Sequence, residues 1–300
     1  MNKPNVIALG FFDGVHLGHA ALLQKTVQRA QELGAHSAAF TFDRSPREFV
    51  TGKSVPLLTT ADERAALITG LYAIERVIVA PFDHAMMTMP WRDFLDHLLV
   101  GQYHAVHLVA GHDYRFGYRN EGTPELLRAY CADHGLGCDI IDKVELDGIT
   151  VSSTYIRTLV ESGDMSRATA FLGHPYSLGG TVAHGQRIGT SRLFPTANLL
   201  PDAAHIVPAH GVYATRVHLS DGRVYPGVTN VGVRPTVSSS GKVTVETHLA
   251  GFSGDLYGRN IRVDFLAYLR PEQKFPSTPA LHDQIERDIA AACALLRAPG

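Results

Sequence analysis

A chain of 300 residues is long for one domain and comfortable for two. Apolar residues make up 45% and charged residues 19%, enough for each half to bury an ordinary globular core, and the net charge of −2 with a pI near 6.8 leaves out the basic footprint of a nucleic-acid binder. Cys131, Cys138 and Cys293 are odd in number and form no C-x-x-C, which speaks against a disulfide framework or zinc knuckle, and no apolar run reaches membrane-spanning length. The expectation is a cytoplasmic protein with no membrane or nucleic-acid partner; its oligomeric state is not readable.

Val6-Ile7-Ala8-Leu9 is a continuous apolar run, which suits a buried parallel strand, and Leu23, Val27 and Ala30 recur at helical spacing up to Gly34. Between them lies Gly10-Phe11-Phe12-Asp13-Gly14-Val15-His16-Leu17-Gly18-His19. A loop at the carboxyl edge of a strand and the amino end of a helix is where open α/β sheets bind ligands and where free N–H groups favour an anion. Gly14 and Gly18 allow close backbone approach, and His16 and His19 share the first helical turn, so a phosphate site is the first expectation. A bare pair of histidines at this spacing reads more readily as a tight turn with two solvated histidines, because such pairs are common by chance.

Strand and helix then alternate. Ser37 to Phe42 reads as a strand, Ala61 to Leu71 as a helix capped by Thr60, Arg76 to Ala80 as a strand, Trp91 to Val100 as a helix, and Ala105 to Ala110 as a strand. The pattern implies a parallel sheet with helices on its faces. Gly52-Lys53-Ser54 lacks the upstream glycine of a P-loop and reads as a surface turn. The strand ending at Ala110 runs into Gly111-His112-Asp113-Tyr114-Arg115-Phe116-Gly117 on the same rim as His16 and His19. Val151-Ser152-Ser153-Thr154-Tyr155-Ile156-Arg157 opens another helix, where Ser153 and Thr154 serve either as caps or, with Arg157, as a polyphosphate grip.

Gly173-His174-Pro175 breaks a short helix and marks a domain junction, giving domains 1–173 and 174–300. Beyond it, Val212 to Leu219, Arg223 to Val228, Lys242 to Ala250 and Ile261 to Leu269 are short strand-like runs of an antiparallel barrel or sandwich, closed by an amphipathic helix over Thr278 to Arg297. Thr196 and Asn198 offer two hard oxygen ligands suited to magnesium with ATP. Glu246 lies in a strand whose alternation puts Thr244, Glu246 and His248 on one face.

The ten-residue string resembles the GxFDGxHxGH signature of the nucleotidyltransferase superfamily. Gly111 to Gly117 resembles a segment of bacterial FAD synthetases, with Tyr114 for the usual phenylalanine, and Ser152 to Arg157 resembles the S-S-T-x-I-R motif that holds ATP phosphates. The series Gly180 to Gly185, Phe194 to Asn198, Gly211 to Tyr213, Asn230 to Thr236, Val245 to Leu249, Gly254 to Gly258 and Arg270 to Glu272 resembles riboflavin kinase. Taken together, residues 5 to 297 resemble the bacterial bifunctional riboflavin kinase/FAD synthetase family.

The resemblance implies an α/β plus β architecture: a Rossmann-like nucleotidyltransferase domain, then a six-stranded antiparallel β-barrel kinase domain with a C-terminal helix. It implies that ATP and riboflavin give FMN in the barrel, and that ATP and FMN give FAD in the first domain. His16, His19 and Glu246 would be catalytic. Nucleotide or phosphate would be held by Gly10, Phe12, Asp13, Gly14, Gly18, Asp113, Ser153, Thr154, Arg157, Gly185, Gly189, Thr196 and Asn198, with Thr196 and Asn198 carrying Mg2+. Thr190 and Leu193 depart from the family's phosphate-loop pattern, and Arg44-Ser45-Pro46 lacks its P-H-P. These departures leave two further readings: one module alone active, or a silent flavin-binding regulator.

Overall fold

The computed structural model describes residues 3–183, 196–233 and 243–297. Packing divides the chain into Met1–Ser153 and Thr154–Gly300.

The first unit is built on five parallel strands, β1 (Asn5–Leu9), β2 (His36–Phe42), β3 (Arg76–Ala80), β4 (Ala105–Gly111) and β5 (Gly137–Ile141), in the order β3-β2-β1-β4-β5. Their connections carry α1 (Leu17–Leu33), α2 (Pro46–Thr51), α3 (Ala61–Tyr72), α4 (His84–Thr88), α5 (Trp91–Asp93) and α6 (Pro124–Asp133). The central position of β1 explains its unbroken apolar run, because both of its faces are covered. Ile7 and Leu9 pack with Phe40, Phe94, Leu99 and Leu127 on one side of the sheet. Val6 and Ala8 pack with Leu23, Ala30 and Ile68 on the other.

Several elements differ from the sequence reading, α2, α4 and α6 being among those not expected, and two bear on the packing of this unit. The helix expected over Trp91 to Val100 is a single α turn followed by a π-helical stretch, Phe94–Gln102, closed by a bond from Tyr103 N to Leu98 O at 3.0 Å. The wider turn sets Phe94, Leu95 and Leu99 together in the core. The fifth strand was not legible because β5 is an edge strand, half-exposed along its length, with Asp139 interrupting any apolar alternation. That carboxylate accepts from Arg29 Nε at 2.7 Å and lies 2.8 Å from His107 Nε2, tying α1 to the edge of the sheet.

After the two-residue strands β6 (Glu145–Leu146) and β7 (Ile149–Thr150), α7 (Ser153–Ser162) leads into the second unit, which continues with α8 (Met165–Leu172). Here β8 (Tyr176–Ala183), β9 (Thr196–Pro201), β10 (Gly211–Leu219), β11 (Val224–Val233), β12 (Val243–Leu249) and β13 (Asn260–Arg270) form a closed antiparallel barrel in the order β10-β11-β12-β9-β8-β13. α9 (Thr278–Arg297) lies against β10 and β11, where Ala292 and Ile289 meet Val212, Ala214 and Val228. Side chains alternate across the barrel wall. Val245, Thr247 and Leu249 point inward, and Thr247, Thr229 and Thr215 form a fully buried hydroxyl ladder with oxygens 2.9 and 2.8 Å apart.

Candidate functional sites

In the first unit the chain leaves β1 and reaches α1 through a backbone that few residues adopt readily. Phe12, Gly14 and Val15 have φ of 57°, 79° and 43°. A branched side chain such as Val15 disfavours that region, so the conformation persists only because its surroundings fix it. Asp13, 2% exposed, supplies the main anchor. Its Oδ1 accepts from Leu58 N at 3.0 Å, Thr59 N at 3.1 Å and Thr59 Oγ1 at 3.4 Å. Gly14 N donates to Thr59 Oγ1 at 3.0 Å, Thr41 Oγ1 to Phe11 O at 2.9 Å, and Ser153 Oγ to Asp13 O at 2.9 Å.

Asp13→Ala is therefore expected to lower the unfolding free energy by roughly 3 to 5 kcal/mol, because it strands buried N–H groups that a carboxylate now serves. Urea titration of the full chain measures the loss. Asp13→Asn, which keeps one acceptor oxygen, should lose less.

His16 caps α1: its Nδ1 accepts from His19 N at 3.3 Å. That bond puts the proton of the neutral ring on Nε2, which is therefore a donor. The His16 and His19 rings stack with centroids 3.6 Å apart and planes 12° from parallel. Two cations at that distance repel, which adds to the larger effect of burial on His19. Burial first, then His16, then Arg64 hold its pKa well below the ordinary 6.5. Gly18 has a steric reason, since a Cβ there would lie 3.0 Å from the His16 ring.

The second rim loop follows β4, the neighbour of β1. Because the chain runs outward from β1 through β2 to β3 and then crosses back to β4, the gap between β1 and β4 is the topological switch point of the sheet. In that loop Asp113 is exposed. Tyr114 and Phe116 instead turn inward, stacking at 5.6 Å within the core, and burial pushes the Tyr114 phenol up. At the start of α7, Ser153 reaches back to the histidine loop as described. Thr154 is exposed and Arg157 half-buried on the same helix.

The second constellation lies on the outer face of the barrel. Glu246 on β12 stands directly opposite Asn198 on β9 and Asn230 on β11, while His248 faces Thr196. Asn230, Glu246 and Asn198 thus form one row across three strands, all partly exposed. Asn230 Nδ2 donates to Glu272 Oε1 at 2.9 Å. Gly185 and Gly189, with Thr190 and Leu193, lie outside the described residues. The hydroxyl of Thr196 and the amide oxygen of Asn198, two residues apart on one face, are the hard donors that Mg2+ accepts. Among the described residues no group of three His, Cys, Asp or Glu could hold a metal.

Two residues of interest were not singled out by sequence reasoning. Asn230 appeared only within a longer string, and its place beside Glu246 depends on strand register. Arg64 reads as an ordinary surface arginine in a first helical turn, yet it is fully buried. The available signal was its spacing of four from buried Ile68 on the inward stripe of α3.

The sequence matches the family model described as FAD synthetase over residues 1–155 and that described as riboflavin kinase over residues 172–296. A bifunctional riboflavin kinase/FMN adenylyltransferase from Pseudomonas fluorescens is 39% identical, the match covering 97% of this chain and 92% of that protein. The protein of the same description from Bacillus subtilis (strain 168) is 34% identical, covering 95% and 90%. A crystal structure described as a macrolide-efflux protein from Streptococcus pneumoniae superposes with a TM-score of 0.86 at 27% identity, covering 98% of this chain and 95% of that one. Among the described residues no helix is long and apolar enough to cross a membrane.

Proposed function

The chain belongs to the family of bifunctional riboflavin kinase/FMN adenylyltransferases, and from that premise we propose which of its residues carry each reaction. The enzyme phosphorylates riboflavin with ATP to give FMN and adenylylates FMN with ATP to give FAD. We assign adenylyl transfer to residues 1–173 and phosphorylation to residues 174–300.

In adenylyl transfer the phosphate of FMN attacks the α-phosphorus of ATP and pyrophosphate leaves. His16 Nε2–H and the His19 ring donate to the oxygens that gather charge, at the amino end of α1, whose dipole favours the same charge. Gly10, Phe12, Gly14 and Gly18 let the backbone approach the nucleotide. Asp13 acts by fixing the loop, Asp113 marks the facing rim, and Ser153, Thr154 and Arg157 hold the polyphosphate. In phosphorylation Glu246 accepts the proton of the ribityl 5′-hydroxyl as the oxygen bonds to the γ-phosphorus, and ADP leaves. Thr196 and Asn198 hold Mg2+ with the ATP phosphates, and the ion supplies charge neutralisation of the transferring group. We assign Gly185 and Gly189 to binding of the ATP phosphates in the same module.

One observation carries the kinase assignment: the carboxylate of Glu246 lies in cross-strand register with Asn198, so base and metal-binding oxygen share one face. Small molecules are the partners we propose, and with free thiols at Cys131, Cys138 and Cys293 the reducing cytoplasm is the compartment.

Incubating the chain with riboflavin, ATP and magnesium and resolving the flavins by chromatography tests the reading. Both FMN and FAD are expected, and supplied FMN should yield FAD without riboflavin. Excess chelator should bring FMN formation to background, and added Mg2+ should restore it. FMN without FAD would remove the assignment made for the first module, and full kinase turnover in chelator would remove the metal role of Thr196 and Asn198.

A further inference from the structure

Arg64 lies in the first turn of α3 with its side chain fully buried. Nη2 donates to the carbonyl of Phe42 at the end of β2. Nε and Nη1, equally buried, meet no acceptor. The Phe11 ring lies over the guanidinium, 4.3 Å from its carbon to the ring centroid. Burial lowers its pKa to about 10, against the opposing pull of Asp13 in the histidine loop and Asp43 just past β2. The group therefore stays charged at neutral pH. A buried cation with two unmet donors is costly, and an apolar side chain of similar length would pack there without that cost.

A second unmet group lies nearby. His19 Nδ1 is buried without a partner, and Arg64 is among the charges that act on that ring. The titratable groups involved come from three places: His16 from the loop and Arg64 from α3 act on His19, while Asp13 from the loop and Asp43 from the turn after β2 act on Arg64.

We propose that Arg64 is a positioning residue for adenylyl transfer: its buried charge fixes Phe11 and the end of β2 under the histidine loop, and stands behind His19 where the transferring phosphoryl group gathers negative charge. This rests on the reading that FAD is made at His16 and His19. The guanidinium holds the loop from below through Phe42 O and Phe11. It also adds a fixed positive potential in a site of low dielectric, where it is little screened.

The test uses the full chain with Arg64→Met, which keeps length and removes charge, and Arg64→Lys, which keeps charge. Three quantities are read: FAD formed from FMN, FMN formed from riboflavin, and the titration of the His19 ring by NMR, assigned with His19→Gln. The methionine variant should lose about 10- to 100-fold in FAD formation and none in FMN formation. Its His19 should titrate at higher pH, because a positive neighbour has gone. The lysine variant should keep most of both properties. FAD formation by Arg64→Met within threefold of wild type overturns the proposal. So does an equal loss in both variants with the His19 titration unmoved, which would mark Arg64 as a shape-filling residue. Should Arg64→Met fail to fold, Arg64→Lys decides: a folded lysine variant that loses tenfold or more in FAD formation sinks the idea, and one that retains activity upholds it. A wild-type chain that makes no FAD overturns the underlying reading, whereas wild-type synthesis with an indifferent Arg64→Met overturns this proposal alone.

Discussion

Glu246→Gln should lower FMN formation by roughly 10² to 10⁴ while FAD synthesis from supplied FMN continues. A primary hydroxyl is a poor nucleophile at neutral pH, and a carboxylate that accepts its proton as the new O–P bond forms removes much of that barrier. Glutamine keeps the size and hydrogen-bonding reach of the side chain, so the row formed with Asn198 and Asn230 should survive. The loss should therefore appear in kcat with little change in the KM for riboflavin. A glutamine variant turning over at near wild-type rate would show that Glu246 is not the base.

Replacing either histidine of the first module should cut adenylyl transfer by roughly 10² to 10³, the usual effect of losing a preorganised donor, and leave FMN formation intact. His16→Ala also removes the cap of α1, which costs about 1 kcal/mol of stability and confuses the result. His16→Asn avoids this, because asparagine is a good helix cap and lacks the ring's Nε2–H. If His16→Asn folds as wild type and still loses FAD synthesis, the donor and not the cap is responsible. If His16→Asn and His19→Ala both make FAD normally, the transferring group is bound elsewhere.

Much of the architecture was legible because its signals are local. The apolar run of β1, the Thr60 cap with Glu63 returning the bond in α3, and the stripe of α9 each depend on residues within a few positions of one another. The separation of Glu246 from Val245 follows from strand alternation in the same way, whereas β9, which sets Thr196 and Asn198 on one face, was not legible as a strand. Less was legible where long-range contacts decide. Asp13 anchors the loop to residues 45 and 46 positions away, so its structural role could not be read from its neighbours in sequence. The π-helical turn after Trp91 is set by the core it serves, and β5 has an edge strand's mixed composition. Arg64 is the clearest case: only the packing of α3 against the sheet turns an unremarkable charged residue into a buried cation.

The strand order carries a consequence for synthesis of the protein. β1 leaves the ribosome before the other strands of its sheet, yet it occupies the centre of that sheet, between β2 and β4. Its second neighbour begins only at Ala105, well after β2 ends at Phe42, so for roughly 3 to 13 seconds of ordinary elongation the nascent chain carries a largely apolar strand with one hydrogen-bonding edge open. Chaperones are the natural cover for that edge, and chains stopped before Ala105 should be insoluble however stable the finished enzyme is.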